Sequence, residues 1–181
     1  MLIGRNIIVD KLRALGYEDS DNLVDFLYDN LARSFNDAMY GTLSLKGFVG
    51  VDDSDIYRII KIYTEYKGNI NHRGYQMISM DSRDIQYGYK VITELIQRAN
   101  KGERFVIVFR NIDDNDDMQR DLVEFANSLT GINAITLEDK SNIDLFYSTG
   151  STHDLTDELQ DITFSQISYK DISNKHKLHT I

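Results

Sequence analysis

The sequence predicts an α+β or α/β sandwich, in which two helices cover one face of a small mixed sheet and a helical segment comes first. Two observations carry this prediction. Residues 105–109 are consecutive apolar residues, rich in β-branched and aromatic types, which fits a strand buried on both faces. Amphipathic stretches with apolar residues at steps of three and four flank this run, at 84–100 and 116–129.

The length and the composition bound the organisation of the chain. Its 181 residues suffice for one domain with a sizeable core, and 41% of them are hydrophobic, so we expect a globular protein. We divide the chain into a helical N-terminal segment at 1–40, an α/β sandwich domain at 41–170 and a tail at 171–181.

Charge and missing motifs exclude several classes of function. The net charge of −9 argues against nucleic-acid binding, because the duplex backbone would repel the protein. The chain has no cysteine, no apolar run that could span a bilayer and no secretory leader, so we expect a cytoplasmic protein. It has no Walker loop, dinucleotide fingerprint or serine elbow, so we expect neither a cofactor nor enzymatic activity.

Two amphipathic helices are predicted in the N-terminal segment. The first, at 1–16, is open to two interpretations: a helix in the plane of a membrane surface, or a helix packed on the domain. Under the first interpretation, the residues in contact with the membrane are Leu2, Ile3, Ile8, Leu12 and Leu15. The second helix, ending near Tyr40, has an apolar stripe typical of a core face.

The next two elements precede the central run. Residues 42–51 alternate in polarity and contain glycines, which indicates a strand with a bend. Residues 56–66 fit a helix through Ile56, Ile59, Ile60 and Tyr63, or a strand by their isoleucine, tyrosine and threonine content. We favour a strand that pairs with 42–51 as a hairpin.

The second half is predicted as strand, helix, strand, helix, strand, strand. The first strand is at 75–80, and the two helices at 84–100 and 116–129 enclose the central strand. A hairpin of 133–137 with 143–147 follows. The last elements are a helical turn at 153–160, a strand at 162–168 and a frayed tail.

An acidic stretch after the central strand is compatible with a metal site. Asp113, Asn115, Asp117 and Glu124 hold the first, third, fifth and twelfth places of an EF-hand loop. The sixth place, which requires glycine for a sharp turn, is Met118. We therefore favour the alternative that this stretch caps the following helix and complements its dipole, with no metal bound.

Several short motifs of the second half match one known family. They are the strand at 77–80, the apolar pairs 91–92 and 95–96, Arg110-Asn111-Ile112, Leu122-Val123-Glu124-Phe125, and the strand end at 145–149. In these motifs residues 77–149 resemble the core domain of SepF, a cell-division protein that links the FtsZ ring to the membrane. The N-terminal amphipathic stretch is similar to the membrane-targeting helix of that family.

The resemblance implies a non-enzymatic, self-associating adaptor in septation that links a division GTPase to the membrane. It would form a homodimer through Leu122, Phe125, Ser128 and Leu129, and would bind an FtsZ-like tail. The charge supports an alternative, an acidic inhibitor, for example phage-encoded, that mimics a polyanion and blocks a basic site on its target.

Overall fold

A five-stranded parallel sheet forms the centre of the molecule. The computed structural model describes residues 5–17, 21–40, 43, 45–81, 88–127 and 136–176. Its strand order is β2-β3-β4-β1-β5, with β1 (Leu45–Val49), β2 (Gln76–Asp81), β3 (Phe105–Arg110), β4 (Ile143–Thr149) and β5 (Ser165–Ser168). The predicted α/β class is confirmed. Every strand pair in the described residues is parallel, so this sheet is parallel, whereas a mixed sheet was predicted.

Helices cover both faces of this sheet. In the described part of the chain they are α1 (Arg5–Ala14), α2 (Asp21–Tyr40), α3 (Asp53–Asn71), α4 (Gly88–Asn100), α5 (Asp116–Asn127), α6 (Asp157–Ile162) and α7 (Tyr169–His176). The two predicted helices, α4 and α5, lie on one face, together with α6. The opposite face is covered by α1, α2, α3 and α7, so helices are not confined to the one face to which α4 and α5 were assigned.

Alternate residues of the central strands divide between two apolar cores. Val106 and Val108 of β3 face the core under α1, α2 and α3, whereas Phe105, Ile107 and Phe109 face the core under α4 and α5. All five side chains are almost completely buried, which confirms the predicted interior strand.

Residues 56–66 form part of α3, so the predicted strand is wrong. Ile56, Ile59, Ile60 and Tyr63 are at most 1% exposed and form the buried stripe of this helix. Burial of a continuous helical face outweighed the strand preference of single isoleucine and tyrosine residues. The hairpin with 42–51 is also wrong, because β1 pairs with β4 and β5 instead.

The second predicted hairpin, of 133–137 with 143–147, is excluded by the neighbours of β4. This strand has β3 on one side and β1 on the other, both parallel, so no side is left for an antiparallel partner. Residues 133–135 lie outside the described part of the chain, and 136–137 are not in a strand.

The helices α2 and α7, near the two ends of the described chain, pack against the sheet. Leu23, Leu27 and Leu31 of α2 are fully buried in the same core as α3. At the other end, α7 includes residues 171–176 of the predicted tail, and its Ile172 is 2% exposed.

The change Gly47→Ala is expected to lower the free energy of unfolding by about 1–3 kcal/mol. Gly47 pairs with Tyr147, whose ring lies over the Gly47 backbone, and a Cβ on Gly47 would lie 2.4 Å from the ring atom Cζ. The Tyr147 hydroxyl is held by Thr163 at 3.0 Å and Gln166 at 2.7 Å, so the ring cannot easily move. Urea unfolding measures the change.

The matched control is Gly74→Ala. A Cβ at Gly74 has no neighbour within 4 Å among the described atoms, so this variant should unfold near the wild-type urea concentration. Equal midpoints for the two variants would show that Tyr147 does not press on Gly47.

Candidate functional site

The edge of the sheet at which the strands end is the best candidate for a functional site. Parallel strands gather their carboxyl ends at one edge, and α/β proteins of this architecture bind ligands there. We call this edge the carboxyl edge; it consists of the segments after β1, β3 and β4, at 50–52, 111–115 and 150–156.

A short acidic turn follows β1 at the carboxyl edge. Gly50 has a φ of 67°, which favours glycine, and its N–H donates to the Thr149 carbonyl at 2.8 Å. Asp52 is the N-cap of α3, and Asp53 and Asp55 lie in the first turn. Their carboxylates complement the positive end of the helix dipole, so the start of α3 presents negative charge.

An ion pair joins this turn to the end of β3. The Arg110 guanidinium donates from Nη1 to Oδ2 of Asp53 at 2.7 Å. The Arg110 side chain is 26% exposed and that of Asp53 52% exposed, so the pair is partly shielded from solvent. It lies beside a groove of about 360 Å³ whose lining includes Ile56, Tyr57 and Ser79.

Asn111 links three strand ends. Its φ of 58° is in the left-handed region, which asparagine tolerates better than most residues. Its side-chain Nδ2 donates to Asp81 Oδ2 at 2.9 Å, and its backbone N–H donates to Ser148 Oγ at 3.1 Å. The ends of β2, β3 and β4 are therefore held together by one residue.

Gln119 of α5 joins the segments after β3 and β4. It is fully buried, and its Nε2 donates to the carbonyls of Ile112 at 3.0 Å and Asp154 at 3.1 Å. Its Oε1 accepts from the Thr156 N–H at 2.7 Å. Both segments are thus held in place by protein groups.

The carboxyl edge and the adjoining helix starts are rich in carboxylates. They include Asp52, Asp53, Asp55, Asp81, Asp113, Asp114, Asp116 and Asp117. Among the described residues at the strand ends, Arg110 ends β3 and Lys170 follows β5, so carboxylates outnumber cations there. The arrangement attracts cationic groups and repels anions.

The residues of the predicted dimer interface are partly in the monomer core. Leu122 and Phe125 of α5 are 0% exposed and pack against the sheet. Ser128 and Leu129 lie outside the described residues. The structure therefore gives Leu122 and Phe125 a packing role, and self-association stays an untested prediction.

The residues predicted to contact a membrane are divided. Ile8 and Leu12 of α1 are fully buried against the core that includes α3, Leu15 is 40% exposed, and Leu2 and Ile3 lie outside the described residues. Membrane contact by this segment stays untested. No helix in the described ranges is both long and apolar enough to cross a bilayer.

The acidic residues of the EF-hand interpretation make other contacts. Asp113 Oδ2 accepts from the Gly150 N–H at 3.2 Å, and Asn115 Oδ1 accepts from the Met118 N–H at 2.9 Å, which caps α5. Asp117 lies 3.5 Å from Arg120, and Glu124 is exposed. In the residues that the structure describes, no group of three or more acidic or histidine side chains is arranged to hold a metal ion.

Sequence analysis missed Asp53 and Gln119, and it gave Arg110 and Asn111 no role at a site. One signal was available: a strand, then Gly50, then an acid-capped helix, followed later by a buried strand that ends in Arg110-Asn111. That order is typical of a parallel sheet with a site at its carboxyl edge. This order was not recognised, because residues 56–66 were assigned to a strand rather than to the acid-capped helix.

Neither the protein-family models nor the curated proteins contain a match to the sequence. Solved structures do match the fold. C. elegans PCH-2 has a TM-score of 0.61 and 8% identity, over 92% of this chain and 46% of that one. A mutant of Thermotoga maritima RuvB has a TM-score of 0.58 and 13% identity, over 82% and 44%. The FIGL-1 AAA domain in complex with ADP has 0.54 and 15%, over 84% and 55%.

These structures are AAA+ ATPase domains, and this chain spans about half the length of the first of them. At such low identity the similarity shows the fold alone. It overturns the SepF resemblance, and with it the predicted roles in cell division and septation, the non-enzymatic adaptor and the inhibitor alternative. Those motifs were short apolar runs that any strand or helix of a parallel α/β sheet needs. The chain thus has the parallel α/β fold that these AAA+ ATPase domains share over the matched part of their chains.

Proposed function

We propose that this chain acts as an AAA+-type domain in a nucleotide-dependent assembly of several proteins. In this proposal the nucleotide is held by a neighbouring chain, and this chain contributes protein contacts. The observation that carries the proposal is the combination of an AAA+ fold with a carboxyl edge whose residues do not fit a nucleotide.

A nucleotide is the ligand that the fold implies. The similar FIGL-1 domain was solved with ADP, and the similar Aeropyrum pernix ORC2 protein, with a TM-score of 0.55, with ADPNP and ADP. Nucleotide sites of the P-loop type need a glycine-rich turn whose N–H groups surround the phosphates, a lysine on the outer phosphates and a hydroxyl on Mg²⁺. An aspartate at the end of a neighbouring strand completes the metal site.

The turn after β1 does not supply the phosphate-binding groups. Only Gly50, Val51 and Asp52 separate β1 from α3, which is too short for a glycine-rich loop. Asp53 and Asp55 stand in the first turn of α3, and residues 47–57 contain no lysine or arginine. At an effective dielectric constant of 20, two like unit charges 4 Å apart repel by about 4 kcal/mol, so these carboxylates oppose a polyphosphate.

The end of β3 does not supply the metal-binding group either. Arg110 and Asn111 follow the apolar run, where an Mg²⁺ site needs a carboxylate. A guanidinium cannot bind a cation, because it offers only donors and keeps its charge. The residues present therefore do not fit an Mg²⁺–nucleotide complex.

The same edge suits contact with a protein. Its carboxylates would pair with lysine or arginine side chains, and Tyr57 is a large side chain that is 55% exposed next to Asp53 and the groove. The net charge of −9 disfavours nucleic acid as the partner.

Photolabelling tests the proposal. The tagged chain, purified from its native source with its associated proteins, is incubated with Mg²⁺ and 8-azido-ATP and irradiated. We expect the label on an associated protein and none on this chain. Specific labelling of this chain, blocked by excess ATP, would overturn the proposal, and so would the absence of any labelled associated protein.

A further inference from the structure

We infer that the Asp53–Arg110 ion pair takes the structural place of a bound phosphate and metal in this chain. It connects the start of α3 with the end of β3, the two elements that a P-loop site connects through its ligand. The inference rests on the proposed function in one respect, since both require that this chain does not hold the nucleotide itself.

The Asp53–Arg110 ion pair connects α3 with β3 directly, without a ligand between them. Arg110 extends from the last position of β3, and Asp53 is the first residue of α3. Their contact of 2.7 Å is within hydrogen-bond distance and joins opposite charges, which makes it stronger than a neutral hydrogen bond. The two residues are 57 positions apart in sequence, so the contact fixes tertiary structure.

Neighbouring polar groups at the carboxyl edge are also bonded to protein atoms. The Gly50 N–H donates to Thr149, Asn111 bonds Asp81 and Ser148, and the Gly150 N–H donates to Asp113. A P-loop leaves its N–H groups free for phosphate oxygens. Here the Gly50 N–H bonds the Thr149 carbonyl and the Gly150 N–H bonds the Asp113 carboxylate, so both already have acceptors within the protein.

The Asp53–Arg110 ion pair predicts how the start of α3 responds to substitution. In Arg110→Met, the Asp53 carboxylate loses its partner and the first turn of α3 loses its tie to β3. We expect amide hydrogen exchange in that turn, including the Ile56 N–H that bonds Asp52, to accelerate about tenfold, with less change in the middle of α3. The thermal midpoint should fall by about 1–4 °C.

Two further variants make the test specific. The charge exchange Asp53→Arg with Arg110→Asp restores a pair of opposite charges but places an arginine at the positive end of the α3 dipole, so it should recover part of the exchange protection. Lys11→Met removes an exposed ion pair with Glu65 at 3.7 Å elsewhere on α3, and should leave the first turn unchanged. Unaltered exchange in Arg110→Met, or equal exchange in the single and exchanged variants, would overturn the inference.

Added nucleotide separates this inference from the proposed function. Exchange in the wild-type chain is measured with and without Mg²⁺–ADP at millimolar concentration, and we expect no difference. Protection of the first turn of α3 by Mg²⁺–ADP would overturn both ideas. If this inference fails and the proposed function holds, amide exchange in Arg110→Met will be the same as in the wild type, and Mg²⁺–ADP will still have no effect.

Discussion

Replacing Lys67 with methionine is expected to lower the free energy of unfolding by about 3–5 kcal/mol. Lys67 Nζ lies 2.6 Å from Asp144 Oδ2, and both side chains are fully buried between α3 and β4. Methionine keeps most of the volume but leaves a buried carboxylate without its counter-ion. Asp144 Oδ1 has no hydrogen-bond partner in the described residues, and Tyr63 is the other donor to Oδ2. Urea unfolding at neutral pH measures the loss.

Two variants show whether burial of the charge is the cause. In the double variant Lys67→Met with Asp144→Leu, no unpaired charge remains, so most of the stability should return. Lys11→Met makes the same change in an exposed pair and should cost about 1 kcal/mol or less. Equal losses for Lys67→Met and Lys11→Met would contradict the buried position of Asp144.

Alkaline solution is expected to unfold the protein over a narrow pH range above about pH 10. Burial, and next the Asp144 carboxylate, raise the pKa of Tyr63 well above its usual value. Burial raises the pKa of Tyr66 and Tyr147, and burial together with the hydrogen bond to Asp55 raises the pKa of Tyr17. All four side chains are at most 2% exposed. The folded protein therefore keeps four protons that the unfolded chain releases near pH 10.

The sign and the slope follow from proton linkage. Below about pH 10 both states hold these protons and stability is unaffected; above it the unfolded chain binds fewer, so the free energy of unfolding falls as pH rises. Each tyrosine contributes about 1.4 kcal/mol per pH unit, and four contribute about 5 until the pKa values of the folded state are reached. Urea unfolding between pH 9 and 11.5 measures the slope.

The variant Tyr147→Phe is the control for alkaline unfolding. It removes one of the four titrating groups, so the slope should fall by about one quarter, after allowance for the lost hydrogen bonds to Thr163 and Gln166. Ionisation of these tyrosines, followed by absorbance near 295 nm, should coincide with unfolding. Their complete ionisation in the folded protein would contradict the prediction.

The central strand and its two flanking helices could be predicted because their signals are local. Residues 105–109 are continuously apolar, and α4 and α5 repeat apolar residues at helical steps, so each pattern indicates one type of secondary structure. In α3 the local signals conflict: Ile59 and Ile60 favour a strand by composition, but a helix by spacing. The tertiary structure decides between them, because α3 is needed to cover the face of the sheet that carries Phe48 of β1 and Phe146 of β4.

The carboxyl edge could not be predicted, because its contacts join distant parts of the chain. Asp53 and Arg110 meet only when β1 takes its place beside β4, and Lys67 meets Asp144 only under the same order of strands. The sequence shows these residues as ordinary surface charges. Two of them, Lys67 and Asp144, are instead fully buried, which no periodicity indicated.

The position of β1 in the sheet also determines when the protein can fold during its synthesis. Both neighbours of β1 are later in the chain: Leu45 pairs with Leu145, and Gly47 pairs with Gln166 on the other side. While the ribosome is still making α5, β1 has no partner, and its apolar residues are open to chaperones or to wrong associations. Contacts between such distant residues also slow folding, so the nascent chain must wait for its last strands.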